Sequence, residues 1–193
     1  MQTRPGTLSF ELSADPSGAF ALWIPGGSGT DADPLIKMDG AKTYVYATRT
    51  MAAVATAAIE RAGLTVTEVD LVIPHQANLR IIEHVSKAID YPMEKIFVNL
   101  DRYGNTSAAS IPIALSEAVA AGRLKPGDVF CTVAFGGGYT SGAFVTRWDA
   151  DAAHGTRAAT VDASTIKIKR PEAGAKAAVV PAALKELLDA KGR

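Results

Sequence analysis

Three segments of the sequence carry residue types that could do chemistry. His75 follows the apolar run VDLVIP, Asn105 follows Gly104 shortly after the run KIFV, and three glycines at 136–138 separate two further apolar runs. Consecutive glycines allow close approach to the backbone and leave N–H groups that can bind an oxyanion. Ligands of open α/β sheets bind beyond the carboxyl ends of strands, where all three segments are expected to lie. We therefore treat them as candidate site segments.

Each segment also has a purely structural interpretation. A histidine at a strand end is more often structural than catalytic, Asn105 in the sequence GNTS is typical of a turn or a helix start, and three glycines can serve a tight hairpin alone. Cys131 lies within the apolar run VFCTVAF, which predicts an unreactive core thiol. We assign no role to His84 or His154.

Helical and extended patterns alternate along the first 148 residues. A helix is predicted over 42–61, where an Ala-rich pattern that is apolar on most sides indicates a buried helix. Two more helices are predicted in NLRIIEHVSKAI and SAASIPIALSEAVAAG, the second with Ser107 as N-cap. Strands are predicted in TLSFELS, VDLVI, KIFVNL, DVFCTVAF and SGAFVTRW, the last two forming a hairpin through GGGYT. This order predicts an α/β layered sheet.

Composition limits the class of protein. The chain has 193 residues, of which 48% are hydrophobic, and its 20 Lys+Arg balance its 20 Asp+Glu. The zero net charge gives no electrostatic reason to expect nucleic acid or an anionic membrane as a partner. One cysteine excludes an intramolecular disulfide and favours a reducing compartment. With no signal-peptide pattern and no transmembrane run, we expect a soluble cytoplasmic protein.

The chain changes character after Trp148. Residues 1–148 are predicted to form the folded domain, and 149–193 an Ala-rich linker or tail. A short helix is possible at 181–191, with Pro181 at its first position and Gly192 just beyond its end. Because so short a helix is marginal alone in water, it would need a partner surface or remain disordered.

The motifs PHQAN, GNTSAAS and AFGGG, in this order and with Asn105 thirty positions after His75, resemble one family closely. The chain is similar, over about residues 6–148, to the C-terminal half of a β-ketoacyl-[acyl-carrier-protein] synthase III, a thiolase-like condensing enzyme that initiates fatty-acid synthesis. The resemblance implies a thiolase-like layered α-β-α sandwich, of which this chain holds the C-terminal half only, with a mixed sheet covered by helices.

The resemblance also implies a reaction. In the family a cysteine takes the acyl group from an acyl-coenzyme A primer of the acetyl type, and a histidine and an asparagine promote decarboxylation of malonyl-acyl carrier protein, whose enolate attacks the acyl-cysteine. By this resemblance His75 and Asn105 are the catalytic pair, and Gly137 supplies an oxyanion-hole N–H. Coenzyme A thioester is a substrate, and neither a cofactor nor a metal is implied.

Binding residues follow from the same resemblance. Phe135, Gly136 and Tyr44 would line the pocket, and Ala77 and Asn78 the pantetheine channel. Where many relatives read MxGNxxF, this chain reads MDGAKTY, which removes a polar contact to pantetheine and alters the channel wall.

Two basic residues lie seven apart on one predicted helix. By the resemblance, Arg80 and Lys87 would dock the acidic acyl carrier protein, although an ordinary solvated helix face is an equally good interpretation of this spacing.

The nucleophilic cysteine of the family has no counterpart in this sequence. We expect it on an N-terminal thiolase half encoded in the same gene or as a separate chain, the complete enzyme being a homodimer and this chain inactive alone. Two alternatives stay open: a non-catalytic or split-subunit partner of a complete synthase, and half of a polyketide- or alkyl-quinolone-type ketosynthase. The chain length of the primer is set largely by the other half.

Overall fold

The computed structural model describes residues 6–25 and 35–149, and all elements below belong to one compact unit. The predicted helix at 181–191 and the tail from 150 onward lie outside the described residues. Strands are β1 (Gly6–Ala14), β2 (Leu22–Trp23), β3 (Lys37–Met38), β4 (Leu71–Pro74), β5 (Val129–Gly136) and β6 (Thr140–Arg147). Helices are α1 (Gly40–Arg61), α2 (Leu79–Ala88), α3 (Leu100–Tyr103) and α4 (Ser110–Ala120).

Four strands form one mixed sheet in the order β1-β6-β5-β4. The β1–β6 and β6–β5 pairs are antiparallel, whereas β5 and β4 are parallel, with Pro74 opposite Val133. Strands β2 and β3 form a separate two-stranded ribbon. The predicted mixed sheet and the predicted C-terminal hairpin are both confirmed.

Helices cover the sheet on two sides. Side chains of α1 and α2 pack with Val72, Cys131 and Val145 in one buried cluster. Side chains of α4 pack with the alternate residues Leu71 and Ile73 in a second cluster. Because successive strand residues point to opposite faces, the two clusters lie on opposite faces of the sheet. The resulting helix–sheet–helix layering confirms the predicted fold class.

Helix α1 is buried along one side only. It begins after Asp39, whose carboxylate accepts a hydrogen bond from the Lys42 N–H at 3.1 Å, a typical N-cap. Ala47 and Met51 on its sheet-facing side are 0% exposed, but Val45 is 61% exposed. The helix was predicted correctly, but its predicted burial on most sides was wrong. Its contacts, chiefly with the sheet and α2, leave the side that carries Val45 uncovered, and alanine tolerates exposure.

Two local predictions differ from the structure. The segment KIFVNL forms one parallel bridge, between Ile96 and Val72, rather than a strand. It leaves the sheet because the Asn99 N–H donates to the Gln76 side chain and the short helix α3 starts at once. Ser107 is not the N-cap of α4: it lies in a 3-10 turn with φ 54°, and α4 starts at Ser110.

None of the helices among residues 6–25 and 35–149 is both long enough and apolar enough to cross a bilayer.

Candidate active site

His75 stands at the carboxyl end of β4. Its N–H donates to the Val133 carbonyl at 2.8 Å, which extends the parallel pairing with β5 by one residue. The side chain is half-buried, and its ring meets the Phe135 ring edge-on at a centroid distance of 5.8 Å. The structure therefore places His75 beyond a strand end, as predicted, and Phe135 beside it.

Ser110 is the hydrogen-bond partner of one ring nitrogen of His75. The Ser110 Oγ lies 2.6 Å from His75 Nδ1 and also accepts the Gln76 N–H at 3.3 Å. Among the described residues no other acceptor is recorded for the hydroxyl hydrogen, and we assign it to the bond with Nδ1. A neutral imidazole that accepts at Nδ1 carries its proton on Nε2. Burial lowers the pKa of His75 and favours this neutral form.

Gln76 links the segments that carry His75 and Asn105. It is 1% exposed. Its Nε2 donates to the carbonyls of Pro74, at 2.8 Å, and Phe97, at 3.1 Å. Its Oε1 accepts the Asn99 N–H at 3.0 Å. Because a buried amide with these partners cannot rotate without losing hydrogen bonds, it fixes the two segments against each other.

The carboxamide of Asn105 has a defined orientation. Its oxygen accepts the Ser107 N–H at 2.9 Å, and because a backbone N–H can only donate, the atom facing it must be the oxygen. The Nδ2 group is therefore the free end of the side chain, and Asn105 is exposed. His75 and Asn105 are not hydrogen-bonded to each other, but Ser110, the partner of His75, begins the helix to which the Asn105 segment leads.

The glycine segment makes a close backbone approach. A Cβ on Gly137 would lie 2.7 Å from the Leu22 carbonyl oxygen, so only glycine fits there without a backbone shift. The predicted close approach is confirmed, but the approaching group is the chain's own backbone. Gly136 ends β5 opposite Thr140. Within the described ranges no acceptor is recorded for the Gly137 N–H, which remains a candidate donor.

The predicted channel residues are spread over α1 and the start of α2. Tyr44, on α1, contacts His84 of α2 edge-on at a ring distance of 6.5 Å, and no described contact joins it to His75. Ala77 is half-buried, and its N–H donates to the His75 carbonyl at 3.0 Å. Asn78 caps α2, because its side-chain oxygen accepts the Arg80 N–H at 2.8 Å. A capping role thus explains Asn78 without a ligand.

Arg80 and Lys87 are both exposed on α2, as a docking surface requires and as an ordinary solvated face would also show.

Cys131 is confirmed as a core thiol. It is 0% exposed, and burial raises its pKa to about 12, so no thiolate is available near neutral pH. In the part of the chain that the structure describes, no three His, Cys, Asp or Glu side chains are grouped closely enough to hold a metal ion.

The residues that sequence reasoning missed are the ones that orient the candidates. Ser110, Gln76, Asn99 and Glu117 hold the loops, and Ser110 and Gln76 do stand inside the motifs GNTSAAS and PHQAN. Nothing in the spacing alone distinguishes them from turn or helix residues.

Known proteins match most of this chain. Residues 59–148 match the sequence model of the family described as 3-oxoacyl-[acyl-carrier-protein] synthase III C terminal. Beta-ketoacyl-[acyl-carrier-protein] synthase III of Ruegeria sp. (strain TM1040) is 43% identical over 143 residues, covering 74% of this chain and 44% of that protein. The synthase III of Syntrophomonas wolfei is 45% identical over 157 residues, covering 76% and 47%. The chain spans about half the length of the curated relatives it matches.

Solved structures agree with the sequence matches. The 3-oxoacyl-[acyl-carrier-protein] synthase III of Aquifex aeolicus VF5 superposes with a TM-score of 0.71 at 41% identity, covering 77% of this chain and 46% of that one. The priming β-ketosynthase of the R1128 polyketide pathway superposes with a TM-score of 0.68 at 27% identity, covering 77% and 47%. The described part of this chain therefore belongs to the β-ketoacyl-[acyl-carrier-protein] synthase III family, has its thiolase-like fold, and corresponds to the C-terminal half of its members.

Proposed function

We propose that this chain supplies the decarboxylation half of a condensing enzyme that joins an acyl-coenzyme A primer to malonyl-acyl carrier protein and so initiates fatty-acid synthesis. Loss of carbon dioxide from the malonyl group leaves an enolate. The enolate carbon attacks the acyl-cysteine carbonyl, the carbon–sulfur bond breaks, and the cysteine thiolate leaves as the 3-oxoacyl product forms. The substrates are thioesters, and the proposed chemistry uses no resident cofactor. A cytoplasmic location, expected from the sequence, stays a prediction.

The orientation of two neutral donors carries this proposal. With the Ser110 hydroxyl assigned as donor to Nδ1, the His75 proton lies on Nε2, and Ser107 leaves the Asn105 Nδ2 group outermost. Two such donors suit the thioester oxygen, which becomes negative as the enolate forms. Each preorganised donor of this kind typically lowers a barrier by about 3–4 kcal/mol. Because the lowered pKa keeps His75 neutral, Nε2–H is present near pH 7.

The glycine segment would serve the second step. When the enolate carbon attacks the acyl-cysteine, negative charge moves to the oxygen of that thioester. The Gly137 N–H is the proposed oxyanion-hole donor, with Phe135 and Gly136 shaping the pocket beside it. The edge-on contact between His75 and Phe135 supports a shared pocket.

An uncovered apolar face supports an N-terminal half as the missing partner. Phe10 is 52% exposed, Leu12 60% and Phe144 43%, and the rings of Phe10 and Phe144 stack at 5.8 Å. Ser9 and Val145, their neighbours along the strands, are buried under α1, so the exposed set lies on the sheet face that α4 only partly covers. Exposed patches of large apolar side chains mark interaction sites. We propose that the cysteine-bearing half covers this face, in a complete enzyme that forms a homodimer.

The binding of carrier protein and pantetheine is proposed for α2 and its start. Arg80 and Lys87 present positive charge to the acidic acyl carrier protein, and Ala77 and Asn78 line the channel by which pantetheine reaches His75. Tyr44 forms part of the channel wall. The Asn78 side-chain oxygen and carbonyl are already occupied by N–H groups of α2. Its N–H and its Nδ2 group, for which no partner is recorded among the described residues, remain for a ligand.

Two alternatives keep the same fold. A non-catalytic partner of a complete synthase would have no need of two oriented donors. A polyketide-type priming synthase is supported by the 27% identity to the R1128 enzyme, and the primer would distinguish it from the fatty-acid type.

Reconstitution tests the proposal. The chain is co-expressed with a cysteine-bearing N-terminal half of a related synthase, and 3-oxoacyl-carrier-protein formation is measured with acetyl- and longer acyl-coenzyme A. We expect activity that falls at least about a hundredfold in His75→Ala and in Asn105→Ala, because each substitution removes one oxyanion donor. His154→Ala, outside the aligned segment, is the matched control. Full activity in both site variants would contradict the assignment. Primer preference in this assay belongs to the borrowed N-terminal half, so only the native N-terminal half would separate the fatty-acid type from the polyketide type.

A further inference from the structure

Three side chains converge on one carboxylate behind the candidate site. Asn99 Nδ2 donates to Glu117 Oε2 at 2.8 Å, Arg102 donates to the same oxygen at 2.5 Å, and the Tyr103 hydroxyl donates to Oε1 at 2.5 Å. The Glu117 side chain is 22% exposed, and Asn99 is 2% exposed. All three donors come from the five residues 99–103, directly before Gly104 and Asn105. One carboxylate therefore holds the whole segment that leads to Asn105.

Glu117 and Ser110 stand on the same side of α4. They are seven residues apart, close to two helical turns, so both side chains point in similar directions. Ser110 contacts the His75 ring, whereas Glu117 contacts the segment before Asn105. One side of a single helix thus sets the positions of both candidate donors.

The segment has little rigidity of its own. Helix α3 is only four residues long, which is too short to be stable without contacts. Gly104 follows it with φ 65°, a position at which the chain bends easily. Asn105 is exposed, and its one described side-chain bond is local, to the Ser107 N–H. The position of Asn105 therefore depends on contacts made before Gly104.

We propose that Glu117 is a positioning residue that holds the 99–103 segment against α4 and thereby holds the Asn105 carboxamide in place for the substrate. We call the hydrogen bonds from Asn99, Arg102 and Tyr103 to Glu117 the clamp. The importance of Asn105 for catalysis rests on the proposed function, but the existence of the clamp does not. Gln76, next to His75, joins the clamp through the Asn99 N–H, so both donors are held by one connected set of hydrogen bonds.

Residue-resolved hydrogen exchange of the full 193-residue chain tests the clamp. The reporters are the Gly104 N–H, which donates to the Leu100 carbonyl at 2.8 Å, and the Ser107 N–H, which donates to the Asn105 side chain. We expect Glu117→Gln to speed exchange at both by about threefold or more, while amides of β5 are unchanged. Glu60→Gln, an exposed glutamate of α1 with no described side-chain contact, is the control and should change neither.

The pH profile separates a clamp from general support of the fold. Hydrogen bonds from Tyr103 and Asn99 lower the pKa of Glu117, with Arg102 adding to the effect. A lowered folded-state pKa means that the contribution is present above the ordinary value of 4.5 and is lost as pH falls through the lowered value. Protection of the Ser107 amide relative to β5 should therefore decline in acid in the wild type and in Glu60→Gln, but not in Glu117→Gln.

Two results would overturn the clamp: unchanged protection at both reporters in Glu117→Gln, or equal loss of protection across the reporters and β5. If Glu117→Gln does not fold, Tyr103→Phe, which removes one of the three donors, replaces it. Loss of protection at the two reporters alone would support the clamp, and equal loss at the reporters and in β5 would overturn it. Because exchange is measured without the N-terminal half, this outcome is independent of the activity assay. Inactivity of the reconstituted enzyme would leave the clamp standing, and absence of the clamp would leave the proposed reaction standing.

Discussion

Removal of the Ser110 hydroxyl should disturb His75 in a way that can be seen directly. In Ser110→Ala, His75 Nδ1 loses its hydrogen-bond donor at 2.6 Å, and the buried Gln76 N–H loses its acceptor. One neutral hydrogen bond contributes about 0.5–1.5 kcal/mol, and a buried donor left without a partner costs about 1–3 kcal/mol. We therefore expect the free energy of unfolding to fall by about 1–3 kcal/mol.

The tautomer of His75 tests the contact with Ser110 more specifically than the free energy of unfolding does. A preference weakened by about 1 kcal/mol shifts the ratio of Nε2–H to Nδ1–H forms about fivefold. Nitrogen-15 spectra of the histidine side chains report this ratio, and the His75 signals are assigned by their absence in His75→Gln. At neutral pH the wild type should show an unprotonated Nδ1 and a protonated Nε2, and Ser110→Ala should show a growing share of the reverse form.

Ser116→Ala is the matched control, because it makes the same change on an exposed position of the same helix. It should alter neither the tautomer nor the stability by more than about 0.5 kcal/mol. If wild-type His75 carries its proton on Nδ1, or if Ser110→Ala leaves the ratio unchanged, the assignment of Nε2–H as the substrate donor is refuted.

Three further outcomes follow from burial and packing. Because burial lowers the folded-state pKa of His75, the contribution of neutral His75 to stability is present above pH 6.5 and declines as pH falls below that value. Urea denaturation should therefore show a smaller loss of unfolding free energy between pH 7.5 and 5.5 in His75→Gln than in the wild type. Met51→Ala, at a 0% exposed position, should cost about 2–5 kcal/mol, whereas the exposed Val45→Ala should change stability by no more than about 0.5 kcal/mol. In Gly137→Ala the new Cβ would lie 2.7 Å from a carbonyl oxygen, and thermal denaturation should show a loss of about 1–3 kcal/mol in unfolding free energy. In Gly136→Ala the nearest atom to the new Cβ is 3.5 Å away, so the loss should be smaller. Equal losses in the two variants would contradict the close approach.

The layered fold could be predicted because its signals are local. The alternation of extended and helical patterns indicated the sheet and its helices, and the apolar runs around Cys131 and Val145 indicated the two paired strands that the structure contains. The strand expected at KIFVNL failed because local hydropathy does not record that Gln76 captures the Asn99 N–H and turns the chain away. Likewise, a serine before an apolar pattern suggested a cap at Ser107, although α4 starts three residues later.

The candidate site likewise contains residues that the local sequence indicates and residues that it does not. His75 and Asn105 could be chosen because a strand end and a glycine-flanked turn are visible in one sequence. Their partners could not, because Ser110 and Glu117 act across separations of 35 residues and of up to 18 residues, and serine and glutamate are ordinary helix residues. The motif resemblance included these positions without saying what they do. Their function became apparent only from hydrogen-bond distances.

The residues of the candidate site share one electrostatic property that fits the proposed reaction. Ser110, Gln76 and Asn105 are neutral, and the carboxylate of Glu117 is occupied by donors from 99–103 instead of facing His75. A buried cation at the site would need a counter-charge whenever substrate is absent, and an unpaired charge in such a place is costly. Neutral donors have no such cost in the empty site, yet their bonds strengthen as charge develops on the substrate oxygen. A lowered His75 pKa would suit the proposed reaction in the same way, because a neutral imidazole can donate a hydrogen bond without gaining or losing a proton.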